Sequence, residues 1–328
     1  MKSEIFLILG SNSFSGSSFV NFLLEKKFKV IGISRSPQKR ILNPYKHNKN
    51  LKNFKFFKID INHNPKKIVK IVKKFKPKYI INFAAQGMVN ESWKYPDQWY
   101  QTNIVSMTKL ISNLFNLNFI KLFLNFSTPE VYGDMKKITK EHDSFNPTTP
   151  YAISRAAFDL HLKNLFKIYK FPIIITRTSN VFGPHQDLYR IIPKTILSIL
   201  KNVKLDLHGK GETVRSFIFI EDVNEALFKI IKKGKIGKTY HISTKEFLSI
   251  KSLCKLIAQK MRKKIKFNLK QDRKGKDFAY KLSSKRLSFD LDWKPKYDLN
   301  LNLEKTINWY VKNFRMLRRH KLFYEHKK

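Results

Sequence analysis

The chain has 328 residues, with 66 lysines and arginines against 24 acidic residues, a formal net charge of +42 and one cysteine, Cys254. A single cysteine excludes a disulfide within the chain, and no apolar run approaches the roughly 20 residues of a membrane-spanning helix. Because the first residues also do not resemble a signal peptide, we expect a cytoplasmic protein with no membrane segment.

The positive charge makes nucleic acid or an anionic surface a candidate partner. The lysines, however, are spread along the whole chain among apolar residues, and neither a basic block nor a nucleic-acid-binding module stands apart. We therefore interpret the charge as a bias in residue usage and do not expect a nucleic-acid partner. The field favours the approach of a small anionic ligand.

The amino-terminal segment predicts a dinucleotide-binding unit. The apolar run Ile5–Leu9 is typical of a buried strand, and it is followed at once by Gly10-Ser11-Asn12-Ser13-Phe14-Ser15-Gly16. A helix with an apolar face and a second strand at 28–33 come next. This order places a pyrophosphate at the amino terminus of the helix. Ser13 replaces the middle glycine of Gly-x-x-Gly-x-x-Gly, and we expect it to tighten the turn.

The residues after the second strand bear on the choice of dinucleotide. They are Ser34-Arg35-Ser36. An enzyme that uses NAD usually keeps an acidic residue here for the ribose 2′-hydroxyl, whereas an arginine accommodates the 2′-phosphate of NADP. The sequence therefore favours NADP over NAD, tightly bound.

Later strands end in small or polar residues. The runs at 79–86 and 122–128 are apolar strands of this kind, and the run at 56–59 ends at Asp60. Helical stretches at 99–115 and 151–169 and a strand at 172–176 continue the alternation. Parallel strands bind ligands at their carboxyl ends, so the first part of the chain is predicted to be a doubly wound α/β domain.

Tyr151 and Arg155 lie four residues apart on a helix that Pro150 is suited to start. The two side chains therefore share one face, and a fixed cation there can lower the pKa of the phenol toward neutrality. An isolated Tyr-x-x-x-Arg is usually only an amphipathic helix with a surface arginine. The preceding dinucleotide unit makes the catalytic interpretation the stronger one.

The chain resembles the extended short-chain dehydrogenase/reductases that act on nucleotide sugars, and within them the sugar-nucleotide 4,6-dehydratases of the GDP-mannose and dTDP-glucose types. The resemblance covers residues 5–314. Its markers are Asn82-Phe83-Ala84-Ala85-Gln86, Ser127-Thr128-Pro129-Glu130-Val131-Tyr132-Gly133, Pro150 to Arg155, Arg177-Thr178-Ser179-Asn180-Val181-Phe182-Gly183-Pro184 and Arg215 to Asp222.

The resemblance implies a Rossmann-like doubly wound parallel sheet with a smaller α/β carboxyl-terminal substrate lobe. Residues 1–183, with a return segment at about 217–246, would form the dinucleotide domain. Residues 184–216 and 247–315 would form the substrate lobe, and 316–328 a basic tail. The resemblance also implies a homodimer that pairs through the helices at 99–115 and 151–169.

The resemblance further assigns residues to sites. The dinucleotide site would contain Gly10, Ser13, Phe14, Ser15, Gly16, Arg35, Asp60, Ile61, Ala84, Ala85, Gln86, Tyr151 and Arg155. The nucleotide sugar would be held by Asn180, Arg190, Arg215 and Arg273, since arginine donates in pairs to a diphosphate. No metal site is expected, because the nine histidines lack metal-ligand spacing.

The implied chemistry begins with oxidation at hexose carbon 4. Tyr151 would take the hydroxyl proton while the nicotinamide accepts the hydride, and Thr128 would hydrogen-bond the same oxygen. Glu130 would then remove the proton from carbon 5 as water leaves carbon 6. Pro129 stands where the dTDP-glucose enzymes have an aspartic acid, so we expect Glu130 also to protonate the leaving hydroxyl, with a bound water or another donor as the alternative.

Two other functions remain open. A nucleotide-sugar epimerase or a uronate decarboxylase would share the fold, the cofactor and Tyr151, and Thr-x-Glu also occurs in decarboxylases. A non-catalytic basic binding protein that keeps the fold is the second alternative. Ser13, Arg155 and Pro129, which all depart from the family pattern, favour it.

Overall fold

The computed structural model describes residues 4–272, 275, 277–296 and 298–326. The strands in chain order are β1 (Ile5–Leu9), β2 (Lys29–Ser34), β3 (Phe54–Lys58), β4 (Tyr79–Asn82), β5 (Leu122–Ser127), β6 (Ile173–Thr178), β7 (Asn180–Phe182), β8 (Leu205–His208), β9 (Val214–Arg215), β10 (Phe217–Phe219), β11 (Thr239–Ile242), β12 (Leu248–Ser249) and β13 (Phe267–Lys270).

The α-helices are α1 (Phe14–Glu25), α2 (Pro65–Phe75), α3 (Val89–Ser92), α4 (Pro96–Tyr100), α5 (Met107–Ser112), α6 (Pro150–Tyr169), α7 (Ile191–Leu200), α8 (Ile220–Lys233), α9 (Ile250–Lys260), α10 (Lys285–Leu291), α11 (Leu299–Lys312) and α12 (Phe314–Leu317). A π-helical turn, Gln101–Ser106, joins α4 to α5, and a 3₁₀ turn, Pro129–Tyr132, follows β5. Among the described residues, no helix combines the length and apolar character that crossing a membrane requires.

Seven parallel strands form one sheet in the order β11-β6-β5-β4-β1-β2-β3. One face packs on α1 and α8 through residues such as Phe19 and Leu227, and the other on α2, α5 and α6 through residues such as Val72 and Leu162. The direction of winding reverses at β1, which lies between β2 and β4. A crevice at the carboxyl ends of these strands is where such sheets bind ligands. The predicted fold class is confirmed.

The predicted elements differ from the observed ones mainly at their ends. The strand predicted at 79–86 ends at Asn82, whose side-chain oxygen accepts a hydrogen bond from Ala84 N at 3.0 Å as the chain leaves the sheet. The helix predicted at 99–115 begins at Pro96 and is interrupted by the π turn. The helix predicted at 151–169 is observed as α6, with Thr149 as its N-cap.

A second core lies beyond the sheet. It is formed by α7, α9 and α11 with β7 and β10, and contains Ile196, Leu253 and Leu303, all fully buried. Two short parallel pairs, β7 with β10 and β8 with β13, and the antiparallel pair β9 with β12 complete this part of the chain. These elements face the carboxyl ends of the central strands across the crevice.

A buried ion pair fixes the end of β5. Asp159 on α6 accepts hydrogen bonds from Asn125, Ser127 and Arg177, and the Arg177 Nη2 to Asp159 Oδ2 distance is 2.9 Å. Arg177 also donates to the hydroxyl of Tyr132 at 2.6 Å. Both charged side chains are fully buried, so each satisfies the other's charge and hydrogen-bonding groups. The network holds α6 and the turn after β5 in a fixed relation.

Candidate active site

The glycine turn after β1 has the geometry of a close backbone approach. Gly10 has φ +78°, and a Cβ there would lie 2.7 Å from Ala84 N. Ser13 is the N-cap of α1: its Oγ accepts from Gly16 N at 3.1 Å and donates to Gly10 O at 2.8 Å. The side chain of Ser13 therefore bridges the two ends of the turn. A Cβ on Gly16 would lie 2.3 Å from Gly10 O, so this position also requires glycine.

The crevice contains a cavity of about 1420 Å³. The predicted dinucleotide residues that border it are Gly10, Ser13, Arg35, Asp60, Ile61, Ala84, Ala85 and Gln86. The glycine cradle and the strand ends fit a dinucleotide, because backbone amides at the start of α1 are available to a pyrophosphate. Gly16 borders neither this cavity nor the adjoining one described next, and glycine is required there by the close approach of Gly10 O.

An adjoining cavity of about 630 Å³ brings the remaining predicted residues together. Its lining includes Phe14, Ser15, Thr128, Glu130, Tyr151, Arg155, Asn180, Arg190 and Arg215. Arg273 lies outside the described residues. The catalytic and substrate-binding predictions for the other residues thus converge on one site, although the roles themselves stay predictions.

Thr128 and Glu130 are held by the turn that follows β5. Thr128 is buried and hydrogen-bonded to the Tyr151 side chain. The 3₁₀ turn that begins at Pro129 directs Glu130 into the cavity, and it is followed by Gly133 with φ +67°, where a Cβ would lie 2.2 Å from Asn146 O. Only glycine is compatible with that position without a shift of the backbone.

The pKa of Tyr151 is raised, which corrects the expectation of a lowered value. Burial raises this pKa most, and the Glu130 carboxylate raises it further. The Arg155 charge and the hydrogen bond with Thr128 lower it, as the sequence predicted, but they do not compensate. The spacing of the sequence revealed the Arg155 cation, but it did not reveal how deeply Tyr151 is buried or that the Glu130 carboxylate lies near it. Both raise the pKa, because burial and a nearby negative charge disfavour the phenolate.

Arg155 is almost fully buried, and its Nη2 donates to Phe126 O at 2.6 Å. Its Nε has no hydrogen-bond partner among the residues that the structure describes. One guanidinium nitrogen, Nη2, thus bonds the end of β5, while the N–H of Nε remains able to donate a hydrogen bond. An arginine presents several donors in a fixed plane, so one side chain can serve both purposes.

Glu130 carries a buried carboxylate oxygen, Oε2, for which the described part of the chain provides no hydrogen-bond partner. Burial raises the pKa of this carboxyl, Asp277 adds to the rise, and Arg215 and Arg190 oppose it. Arg215 itself donates to three backbone carbonyls, those of Val214, Asp277 and Phe278, at 2.7–3.0 Å. Glu130 therefore presents a buried carboxyl group to the cavity.

Asn103 is a buried residue that supports the site and that the sequence interpretation missed. It lies in the π turn, its Oδ1 accepts from Gln86 N at 2.8 Å, and its Nδ2 donates to Gln86 O at 3.0 Å and to Ser154 Oγ at 2.9 Å. It thus joins the end of β4 to α6 beside Arg155. An asparagine inside an apolar helix was the available signal, and π turns are frequent at functional sites.

Residues 7–306 match the family model of GDP-mannose 4,6-dehydratase. The chain belongs to this family. The predicted extended short-chain dehydrogenase/reductase of the sugar-nucleotide 4,6-dehydratase type is confirmed.

The chain is similar to a human dTDP-D-glucose 4,6-dehydratase, 31% identical over 320 residues that cover 94% of this chain and 90% of the relative. Among solved structures, the Bacillus anthracis dTDP-glucose 4,6-dehydratase in complex with NAD is 26% identical with a TM-score of 0.86, covering 95% of this chain and 98% of that one. UDP-glucose 4-epimerase from Thermotoga maritima is 25% identical with a TM-score of 0.85, covering 94% and 99%.

Arg155 offers a first test of the dehydratase site. We expect Arg155→Lys to keep most of the turnover and Arg155→Met to lose about 100-fold in kcat, since a fixed positive charge opposes the rise in the pKa of Tyr151. Comparing the two variants separates the effect of the positive charge on kcat from the effect of the side-chain shape. Equal kcat for the Met variant and the wild type would show that the charge is unnecessary.

Glu130 should make the stability of the dehydratase depend on pH. The folded pKa of Glu130 lies above its ordinary value of 4.5. Above that pH the folded state therefore binds more protons than the unfolded state, and the free energy of unfolding falls as the pH rises toward the folded pKa. We expect Glu130→Gln to raise the free energy of unfolding by about 1 kcal/mol or more near neutral pH.

The gain should disappear as the pH falls below 4.5, where the carboxyl is protonated in both states. Urea unfolding of the wild type and the variant at both pH values measures it. A difference that does not change with pH would mean that Glu130 is not the group responsible.

Proposed function

We propose that the protein is a nucleotide-sugar 4,6-dehydratase that converts an NDP-hexose to an NDP-4-keto-6-deoxyhexose through transient oxidation at carbon 4. The observation that carries the proposal is the convergence of Tyr151, Thr128 and the buried Glu130 on one cavity beside the dinucleotide crevice. An acid-base phenol and a separate acid-base carboxyl are what an oxidation followed by an elimination requires.

Tyr151 accepts the proton of the carbon 4 hydroxyl as the phenolate, the form that the Arg155 charge and the hydrogen bond with Thr128 favour against burial, and Thr128 would hydrogen-bond the same substrate oxygen. A bound nicotinamide dinucleotide supplies a hydride acceptor for carbon 4 and a hydride donor for carbon 6. Gly10, Ser13 and the ends of β2, β3 and β4 would hold it. Because the hydride is returned to the same sugar, the overall reaction loses one water and involves no net oxidation.

Glu130 performs the elimination. Its carboxylate removes the proton from carbon 5, which the carbon 4 ketone has made acidic, and then gives that proton to the hydroxyl leaving carbon 6 as water. When carbon 6 recovers the hydride, carbon 5 takes a proton from solvent, and Tyr151 returns to solvent the proton that it took from the carbon 4 hydroxyl. Pro129, the neighbouring residue, has no proton to donate. The raised pKa of Glu130 suits both steps, because an acid-base group works best when its pKa is near the working pH.

We propose NADP as the dinucleotide. Arg35 borders the crevice together with Lys39 and Arg40, and no acidic side chain occupies the run Ser34-Arg35-Ser36 after β2. Arg35 donates one hydrogen bond to Gln86 Oε1 at 3.0 Å and has further donors for a phosphate. The Bacillus anthracis relative was solved with NAD. Identification of the dinucleotide released on denaturation decides between the two, and NAD alone would refute the proposal.

We also propose a cytoplasmic homodimer. Exposed apolar side chains lie on the two helical segments predicted to pair, among them Val105, Ile153 and Leu160. Such side chains exceed what one buried stripe requires. A monomer mass in light scattering at working concentration would contradict this.

The activity is tested by incubating the purified protein separately with GDP-, dTDP-, UDP- and CDP-hexoses and measuring the product masses by mass spectrometry. A product lighter by one water from at least one substrate is expected. A product of unchanged mass would indicate an epimerase, and loss of carbon dioxide from a uronate would indicate a decarboxylase. No product from any substrate, together with salt-sensitive nucleic-acid binding, would favour the non-catalytic alternative.

A further inference from the structure

The carboxyl-terminal segment at 316–326, the terminal strap, lies along the dinucleotide crevice and not apart from it as a tail. Its residues that border the larger cavity are Met316, Arg319, His320, Lys321, Phe323, Tyr324 and Glu325. Tyr324 also borders the adjoining cavity of about 630 Å³ that contains Thr128, Glu130 and Tyr151, the catalytic cavity. The larger cavity stays open at about 1420 Å³ between this strap and the strand ends, so the strap forms a wall of the crevice and does not fill it.

The end of the terminal strap is held by an aromatic slot. The ring of His326 stacks on Tyr95 at a centroid distance of 4.9 Å with an interplanar angle of 10°, and on Trp99 at 5.2 Å with 18°. His326 Nε2 lies 2.6 Å from Gln98 Oε1. Tyr95 is the N-cap of α4, and Gln98 and Trp99 belong to α4, which continues directly into the π turn that carries Asn103. The anchor and Asn103 therefore lie on one continuous helical segment.

A chain of hydrogen bonds joins this anchor to the dinucleotide site. Arg35 Nη2 donates to Gln86 Oε1 at 3.0 Å, which orients the Gln86 amide because arginine can only donate. Gln86 Nε2 then donates to His326 Nδ1 at 3.2 Å, and His326 Nε2 donates to Gln98. Two predicted dinucleotide residues are thereby connected to the last described residue of the chain.

The beginning of the terminal strap is attached to the opposite wall. Leu317 is fully buried in the core beyond the sheet, and Leu322 packs against the same core. Lys201 Nζ donates to His320 O at 3.2 Å. The ring of Tyr324 meets that of Tyr189 edge-on at 5.2 Å. Since one end is held by this core and the other by α4, the strap spans the crevice.

We propose that the terminal strap is part of the dinucleotide-binding site and retains the dinucleotide through turnover, with Tyr324 and His326 as its positioning residues. This rests on the proposed function, in which one dinucleotide gives and recovers its hydride and has no need to leave. The strap also brings Arg319 to the cavity, where its charge favours the pyrophosphate of the ligand, while Lys321 at the same cavity is ion-paired with Glu325.

The test measures dinucleotide retention and not activity. A variant that ends at Arg318 loses four cations and one carboxylate, a net charge of three. His326→Ala keeps the full chain and removes both hydrogen bonds and the stacking. Lys66→Gln/Lys67→Gln/Lys70→Gln removes the same net charge from exposed positions of α2 outside both cavities. Each protein is loaded with NADP and, separately, with NAD. The rate at which the dinucleotide dissociates is followed by the change in the tryptophan fluorescence of the protein.

We expect the shortened chain to release the dinucleotide at least about tenfold faster than the wild type, with His326→Ala changed in the same direction, because each hydrogen bond lost weakens the attachment of the strap to the crevice. The triple Lys→Gln control should stay close to wild type. Unchanged release from both strap variants, or slower release from the shortened chain, would overturn the proposal; the second result would mean that the strap obstructs the site.

The result of the strap experiment can be distinguished from the result of the dehydratase experiment. Strap-dependent release by a protein that dehydrates no NDP-hexose would refute the dehydratase and support the strap. Continued dehydration by a shortened chain that holds its dinucleotide as firmly as the wild type would refute the strap alone.

Discussion

Tyr151→Phe is expected to lower kcat by about 1000-fold or more while leaving the fold and the bound dinucleotide intact. The substitution removes only the hydroxyl, which bonds Thr128 and lies beside Glu130 in the catalytic cavity. With no phenolate oxygen to accept the proton from the carbon 4 hydroxyl, the first oxidation cannot proceed. The loss should appear in kcat and not in KM, since the hydroxyl acts on the reacting atoms.

Tyr169→Phe is the matched control, because Tyr169 ends the same helix and is largely exposed. Steady-state kinetics, thermal unfolding and dinucleotide content are measured for both variants. Turnover by Tyr151→Phe near the wild-type rate would remove Tyr151 from the mechanism.

Glu130→Gln is expected to separate oxidation from dehydration. The amide cannot remove the proton from carbon 5, so loss of water should fall by about 100-fold or more. Oxidation at carbon 4 should continue, because the substitution also removes the carboxylate that raises the pKa of Tyr151. Reduced dinucleotide should therefore accumulate on the enzyme.

Single-turnover absorbance of the reduced nicotinamide, with product mass measured in parallel, tests this second prediction. Glu212→Gln, at an exposed position outside the catalytic cavity, is the control. Dehydration by Glu130→Gln at an undiminished rate would show that another group removes the carbon 5 proton.

Much of the fold could be predicted because it depends on local patterns. Continuous apolar strands such as Ile5–Leu9 and the turn from Gly10 to Gly16 follow from spacing and from the conformations open to glycine. The grouping of Thr128, Glu130 and Tyr151 at one cavity followed from the carboxyl ends of parallel strands and from the family resemblance.

What could not be predicted depends on contacts between distant segments. The raised pKa of Tyr151 results from burial and from Glu130, which lies 21 positions earlier in the chain. The role of Asn103 depends on a π turn that no periodicity indicates. The terminal strap was predicted only as a basic tail, because its charge was visible in the sequence and the slot for His326 was not.

The central claim, dehydration through a transient ketone with return of the same hydride, is tested most directly with an NDP-hexose that carries deuterium at carbon 4. The account predicts a 4-keto product that has lost one H₂O and retains the deuterium at carbon 6. A product that has lost no water, or a 4-keto-6-deoxy product from which the deuterium is absent, would contradict it.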